Sequence, residues 1–302
     1  LSLPTSVQRC RTLCHNETER PDGLALPPTN GMHSPMNPAL TGGLACSLYL
    51  ASAAIQLFGG SLQLSQRRLI VMSTAVLAVI LHAVFSYQEI YTPAGINIGI
   101  YPMASLTSLA IAVIVLASSF RRPVDNLLVL LFPLAIVTVL LALFKEGSFT
   151  PRPDINDGIV AHILLSVAAY GLLTVAAFQA ALLSFGDYEL KHRNLGVLRR
   201  LPPLQTMESL MFELIWSGLM FLSLSIATGF AFIRKGESQD GLIHHTTITL
   251  AAWVVFAVLL WGRRQLGWRG AIASRWTLAG FTLLVIGYFG SKLVLEVILG
   301  KS

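Results

Sequence analysis

Charge is what this 302-residue sequence has least of. Asp, Glu, Lys and Arg together make up 12% of it, where a soluble domain carries about 25%. With 54% hydrophobic residues and a mean hydropathy of +0.67, that shortage excludes an ordinary soluble fold and implies a polytopic membrane protein. Nucleotide and zinc-protease motifs are missing as well: there is no G-x-x-x-x-G-K-[ST], no Rossmann glycine pattern, no H-E-x-x-H and no C-x-x-C. Phosphate-driven transport and zinc proteolysis therefore lose their basis.

Cysteine is scarce too. Cys10 and Cys14 with His15 spell C-x-x-x-C-H, one residue longer than the haem-attachment pattern, and are read as a coincidence in a polar tail. Cys46 stands alone in an apolar run and reads as a small packing residue. Residues 1–38 are rich in Pro, Thr and Asn without helical periodicity. They are expected to be a disordered tail, either periplasmic or upstream of the true start, and they lack the charge and apolar layout of a signal peptide.

What is present is a succession of long apolar runs. Eight spans are expected, near residues 39–59, 69–87, 97–119, 126–144, 158–185, 208–233, 246–262 and 275–299, since about 20 apolar residues cross a bilayer core. Residues 39–302 then form one transmembrane domain. Basic residues gather in alternate loops: Arg67 and Arg68, Arg121 and Arg122, Lys191 to Arg200, and Arg263 to Arg275. The positive-inside rule makes those loops cytoplasmic and places both termini in the periplasm. This distribution also accounts for the net charge of +6, which is therefore not a nucleic-acid footprint.

The stretch from Gly158 to Phe185 holds no Lys, Arg, Asp or Glu, yet His162 lies inside it. A titratable side chain in hydrocarbon is costly, so a functional partner is the default expectation. His82 near the end of the second span, His244 and His245 at the mouth of the seventh, and Lys292 in the eighth fall in nearly the same outer layer. Two histidines from different helices are a normal way to hold haem iron, and a Lys near the interface can neutralise a haem propionate. The plainer alternatives are a membrane His bonded to a Ser or a backbone carbonyl, Lys292 paired with Glu296 or reaching to the interface, and His244 and His245 solvated in a loop.

Several stretches together are similar to the cytochrome c assembly protein family: the run from His162 with Ser166 and Tyr170, the segment from Asp187 to Phe212, the helix around Trp253 and Trp261, and the closing GYFGSK of Gly287 to Lys292. The resemblance is nearest to the YpjD and HemX branch, with the CcsA and CcmC proteins more distant, and it covers nearly the whole chain from about Ala39. It implies an all-α inner-membrane bundle of about eight transmembrane helices that binds or handles haem, of the b type, in cytochrome c assembly, without catalytic turnover of its own. It further implies His162 as an axial iron ligand, His82, His244 or His245 as the opposite one, and Lys292 as a propionate or structural partner. Partners would be the lipid bilayer and haem-handling or cytochrome assembly proteins. The family's W-G-x-x-W-x-W-D motif is missing, and the corresponding loop, RKGESQDGLIHH, has no tryptophan. That departure argues against haem presentation to a cytochrome while leaving haem binding within the bundle open. Two other readings stand beside this one: a transporter or permease with His162 and Lys292 lining a polar path, and a scaffold that regulates tetrapyrrole synthesis through its basic loop.

Overall fold

A computed structural model of the chain describes residues 37–60, 63–93, 95–121, 126–145, 157–192, 203–232 and 239–287. The expected tail, Lys292 and the outer part of the eighth span lie outside the described residues. The first helix, α1 (Pro38–Phe58), begins where Asn37 accepts a hydrogen bond from the backbone N–H of Ala39 at 3.0 Å, with Pro38 in the first helical position. An Asn cap followed by Pro is a strong start signal, because Pro brings a preset φ and gives up an N–H that would be unpaired there anyway. Helix α2 (Leu64–Ile90) leads into a short antiparallel hairpin of β1 (Tyr91–Thr92) and β2 (Gly95–Ile96). Gly95 has φ of 126°, a backbone conformation that side-chain-bearing residues rarely adopt.

The remaining helices are α3 (Ile100–Arg121), α4 (Asn126–Phe144), α5 (Asp157–Lys191), α6 (Leu204–Phe232), α7 (Gln239–Gln265) and α8 (Gly270–Val285). Seven of the eight are long and apolar enough to cross a membrane, and many of their large apolar side chains, Leu50, Val137 and Leu224 among them, face outward. Outward apolar surface of this kind is stable only against lipid. Pro133 sits inside α4 without ending it, as neighbouring helices in a bilayer allow. At 35 residues, α5 is about 52 Å long. It overshoots the hydrocarbon and carries Asp187, Glu189 and Lys191 beyond it.

Helix packing follows two closed circuits. In the first, α1 packs on α2, α2 on α3, α3 on α4 and α4 back on α1; in the second, α5 packs on α6, α6 on α7, α7 on α8 and α8 back on α5. The junction between them is α3 against α5. One apolar core runs through both, from Tyr49 and Phe132 in the first to Leu173, Met211, Ile215 and Phe256 in the second. The closest seam is α5 against α6, and small residues make it possible. Ala169, Ala176 and Ala180 are fully buried on α5, and a Cβ at Gly218 of α6 would come within 2.7 Å of Leu173 Cγ. Close approach at small residues is how helices in lipid gain dispersion energy.

Most of the described basic residues gather at one end of the bundle, with Lys145 at the other. Arg67 and Arg68 open α2, Arg121 closes α3, Lys191 closes α5, Arg263 and Arg264 close α7, and Arg275 lies in the first turns of α8. The opposite end carries the C-terminus of α2, the hairpin and the N-termini of α3 and α5, all of which meet around one cleft of about 190 Å³ lined by Tyr87, Ile90, Tyr91, Met103 and Ile163. His82 and His162 stand toward that second end, whereas His192, just past α5, lies at the basic end against Tyr188.

Candidate functional site

His82 is completely buried in the first circuit. Its Nδ1 is 3.1 Å from the Tyr49 hydroxyl of α1, and its Nε2 is 3.0 Å from the Ser105 hydroxyl of α3. A neutral imidazole has one N–H and one lone pair, and each hydroxyl can donate or accept. Either tautomer is therefore satisfied. Ser105 Oγ lies 3.5 Å from Ser86 Oγ, which extends the network one turn further along α2. Tyr49 is itself packed at 4.8 Å against the Phe132 ring. His82 would become available to a metal only by giving up one of these two bonds.

His162 sits in the second circuit, five residues into α5, and is partly exposed. Its Nδ1 is 2.8 Å from the backbone carbonyl oxygen of Ser225 on α6, with Thr228 Oγ1 at 3.4 Å. A carbonyl oxygen only accepts, so Nδ1 must carry the proton and Nε2 holds the lone pair of the neutral ring. The nearest group to Nε2 is Ser166 Oγ at 3.5 Å. That hydroxyl has one proton, and it is donated to the His162 backbone carbonyl at 2.7 Å. The Ser225 hydroxyl, 2.7 Å away, then supplies a proton to Ser166 Oγ. With that proton placement, the Nε2 lone pair has only the long 3.5 Å approach of Ser166 Oγ among the described residues.

This is the arrangement in which a histidine serves as a metal ligand: one nitrogen is anchored to a carbonyl, which fixes the ring and its tautomer, while the other is left to coordinate. No three His, Cys, Asp or Glu side chains come together among the described residues. An all-protein metal cage is therefore not formed there, whereas a group that brings most of its own ligands, as haem does, requires only one or two imidazoles.

The structure brings His82 and His162 to the same end of the bundle on different circuits, and residues beside each, Ala83 and Ser86 on α2 and Ile163 on α5, line the same cleft. The backbone at His244 and His245 is helical, since α7 begins at Gln239, earlier than the expected start at 246. Their side chains, like Lys292, lie outside the described residues. Sequence reasoning missed the groups that decide the state of each ring. Ser166, four residues after His162, was visible as a neighbour on the same helix face. Nothing in the sequence marks Ser225 or Thr228, more than sixty positions away, or Tyr49 and Ser105 around His82.

Comparison with known proteins adds an independent line. Residues 42–299 match the profile of a family described as Cytochrome C assembly protein. The chain is similar to Inner membrane protein YpjD of Escherichia coli, with 31% identity over 77% of this chain and 88% of that one. An uncharacterised protein of Azospirillum brasilense is 30% identical over 61% of this chain and 69% of its own length. Protein HemX of Brevibacillus brevis is 25% identical over 58% and 66%. No solved structure matches.

Proposed function

The chain belongs to the cytochrome c assembly protein family, and on that premise we propose that it is a haem-handling member in which His162 is an axial ligand. It is a multi-pass inner-membrane protein, as the seven membrane-length helices among its described residues and its similarity to the YpjD inner-membrane protein indicate. Its termini face the periplasm on this reading, because most of the basic residues gather at the end opposite His82 and His162.

The observation that carries the haem reading is the state of His162. The Ser225 carbonyl holds the Nδ1 proton at 2.8 Å and the Ser166 proton is spent on a backbone carbonyl at 2.7 Å, so the Nε2 lone pair is left for an iron. Haem, when bound, supplies a redox-active iron and two propionates. The chain's own residues orient the imidazole through α6, exclude competing ionisable groups and keep the ring neutral in an apolar setting. His82, held at both nitrogens, serves the first circuit as a polar tie. His244 or His245 at the start of α7 would supply a second imidazole to the iron, and Lys292 would partner a propionate. The missing tryptophan motif favours holding or sensing haem over presenting it to a cytochrome.

An oxidised-minus-reduced visible spectrum of detergent-purified protein tests this. The wild type from haem-replete cells should show a Soret band that is lost in His162→Ala and in a His244/His245 double alanine, and retained in His82→Asn. No haem in the wild type, even after haem is added back, overturns the reading.

A further inference from the structure

Thr249 breaks a habit that the other buried threonines of the bundle keep. Thr41, Thr107, Thr138, Thr174 and Thr277 each reach a backbone carbonyl three or four residues earlier, which is the ordinary way a helix occupies a hydroxyl proton in an apolar setting. Thr249 on α7 is 7% exposed, and its Oγ1 has no hydrogen-bond partner among the described residues. A buried hydroxyl left in that state costs free energy, so it marks a place where a bond is to be made with something the chain does not supply. Its position is specific. Trp253 Nε1 of α7 donates to Ser223 Oγ of α6 at 2.8 Å, and the ion pair of Arg263 with Glu208 shows that the two helices run antiparallel. Thr249, one turn outward from Trp253, is therefore level with the turn from Ser225 to Thr228 that holds His162. It belongs to the buried stripe of α7 with Ala252 and Phe256. On its other side Gly287, just past α8, leaves room: a Cβ there would lie 3.8 Å from the Thr249 hydroxyl and 3.1 Å from Ile248. His162 thus occupies the seam of α5 and α6, and Thr249 the seam of α7 and α8, at one depth of the same circuit.

We infer that Thr249 is a binding residue for the haem periphery, donating its hydrogen bond to a propionate carboxylate. The inference rests on the haem reading of His162 and deepens it. For a haem held in this circuit the choice of acceptor is narrow. The edge of the macrocycle is hydrocarbon, the pyrrole nitrogens are spent on iron, and the propionate oxygens are what is left to accept. A hydroxyl with an uncommitted proton bonds a carboxylate more strongly than a neutral oxygen, and it does so without bringing a second charge into the bundle. Depth agrees with that role. Thr249 is in the first turn of the membrane-length part of α7, Thr246–Gln265, near the boundary where a carboxylate is cheapest to hold.

Titration of the detergent-purified full chain from haem-limited cells tests this, with haem and haem dimethyl ester as the two probes and the Soret band as the signal. Thr249→Val keeps the shape of the side chain and removes the hydroxyl. It should weaken haem binding about tenfold, the size of one charge-assisted hydrogen bond, and leave binding of the ester unchanged. Thr249→Ser should restore the wild-type affinity for haem. Without haem, Thr249→Val should unfold at the wild-type temperature or above it, because it deletes a buried hydroxyl that has no partner. Equal losses for haem and ester overturn the inference, as does undiminished haem binding by Thr249→Val. A lower unfolding temperature of the haem-free variant does so too, since the hydroxyl would then serve the protein alone. Haem uptake that depends on His162 but not on Thr249 overturns this inference by itself, whereas a wild type that takes up neither probe overturns it together with the reading of His162.

Discussion

His82 and His162 point their rings into the same end of the bundle from different helix circuits, and the two circuits treat an imidazole in opposite ways. In the first, α1 and α3 each turn a hydroxyl toward His82, so both nitrogens are bonded and the side chain is fully buried. In the second, α6 turns a backbone carbonyl toward His162, so one nitrogen is bonded as a donor and the other keeps only a long 3.5 Å approach from Ser166 Oγ on a partly exposed ring. The difference is one of partner chemistry. A hydroxyl adapts to either tautomer and closes the ring, whereas a carbonyl dictates the tautomer and leaves the other nitrogen to bind something else. The same residue type at similar depth is thus a structural tie in one half and a candidate ligand in the other.

The largest effect expected from breaking that contrast is on haem retention. His162→Ala should abolish the Soret band while leaving thermal unfolding close to wild type, because the ring gives up only one bond to a carbonyl that Thr228 also bonds at 2.9 Å. His82→Asn should do the reverse, keeping the band and lowering the unfolding temperature. If both substitutions remove haem equally, the two circuits do not divide the roles as described.

The seam between α5 and α6 should respond next. Gly218→Val would place a side chain where only 2.7 Å separates the Cβ position from Leu173 Cγ. Overpacking of that kind costs about 1–3 kcal/mol, and it would also push Ser225 away from His162 along the same helix. Thermal unfolding and haem content should therefore fall together in this variant, whereas in His82→Asn only stability should fall. A haem-replete, destabilised Gly218→Val protein would show that the α6 carbonyl is not what poises His162.

His82→Leu isolates the tie itself. It removes two buried hydrogen bonds and leaves Tyr49 and Ser105 to find other partners. Hydrogen bonds between membrane helices average about 0.6 kcal/mol each, so a loss of about 1–2 kcal/mol is expected in chemical or thermal unfolding. Tyr49→Phe in the His82→Leu background should add less than Tyr49→Phe alone, because the two share one bond.

How much of this was legible in the sequence follows from what sets each feature. Apolar runs located the spans because lipid selects composition directly. They did not mark where the helices end: α2 runs from Leu64 to Ile90 and α5 to Lys191, beyond the expected spans 69–87 and 158–185, because a helix continues past the hydrocarbon on polar residues that hydropathy discounts. His162 stood out as a lone ionisable residue and the family resemblance named its neighbourhood. The division between His82 and His162 was invisible. It depends on whether a hydroxyl or a carbonyl arrives from another helix, and that is decided by packing between α1, α2 and α3 on one side and α5 and α6 on the other.

Ser166→Ala gives the smallest expected change and the sharpest reading of His162. If the imidazole were only a packing residue, Ser166 would be part of what holds it, and its loss would loosen the ring. On the ligand reading, the Ser166 proton is already committed to the His162 carbonyl and the 3.5 Å approach to Nε2 contributes little. Removing the hydroxyl then takes away an intrahelical bond and the acceptor of the Ser225 hydroxyl, at a cost below about 1 kcal/mol, and leaves Nε2 more accessible. Haem content should hold, with at most a shift of the reduced band as the polarity beside the iron changes. A complete loss of haem in Ser166→Ala, with unfolding unchanged, would transfer the decisive role from the Ser225 carbonyl to the Ser166 hydroxyl and place the controlling contact within α5 itself.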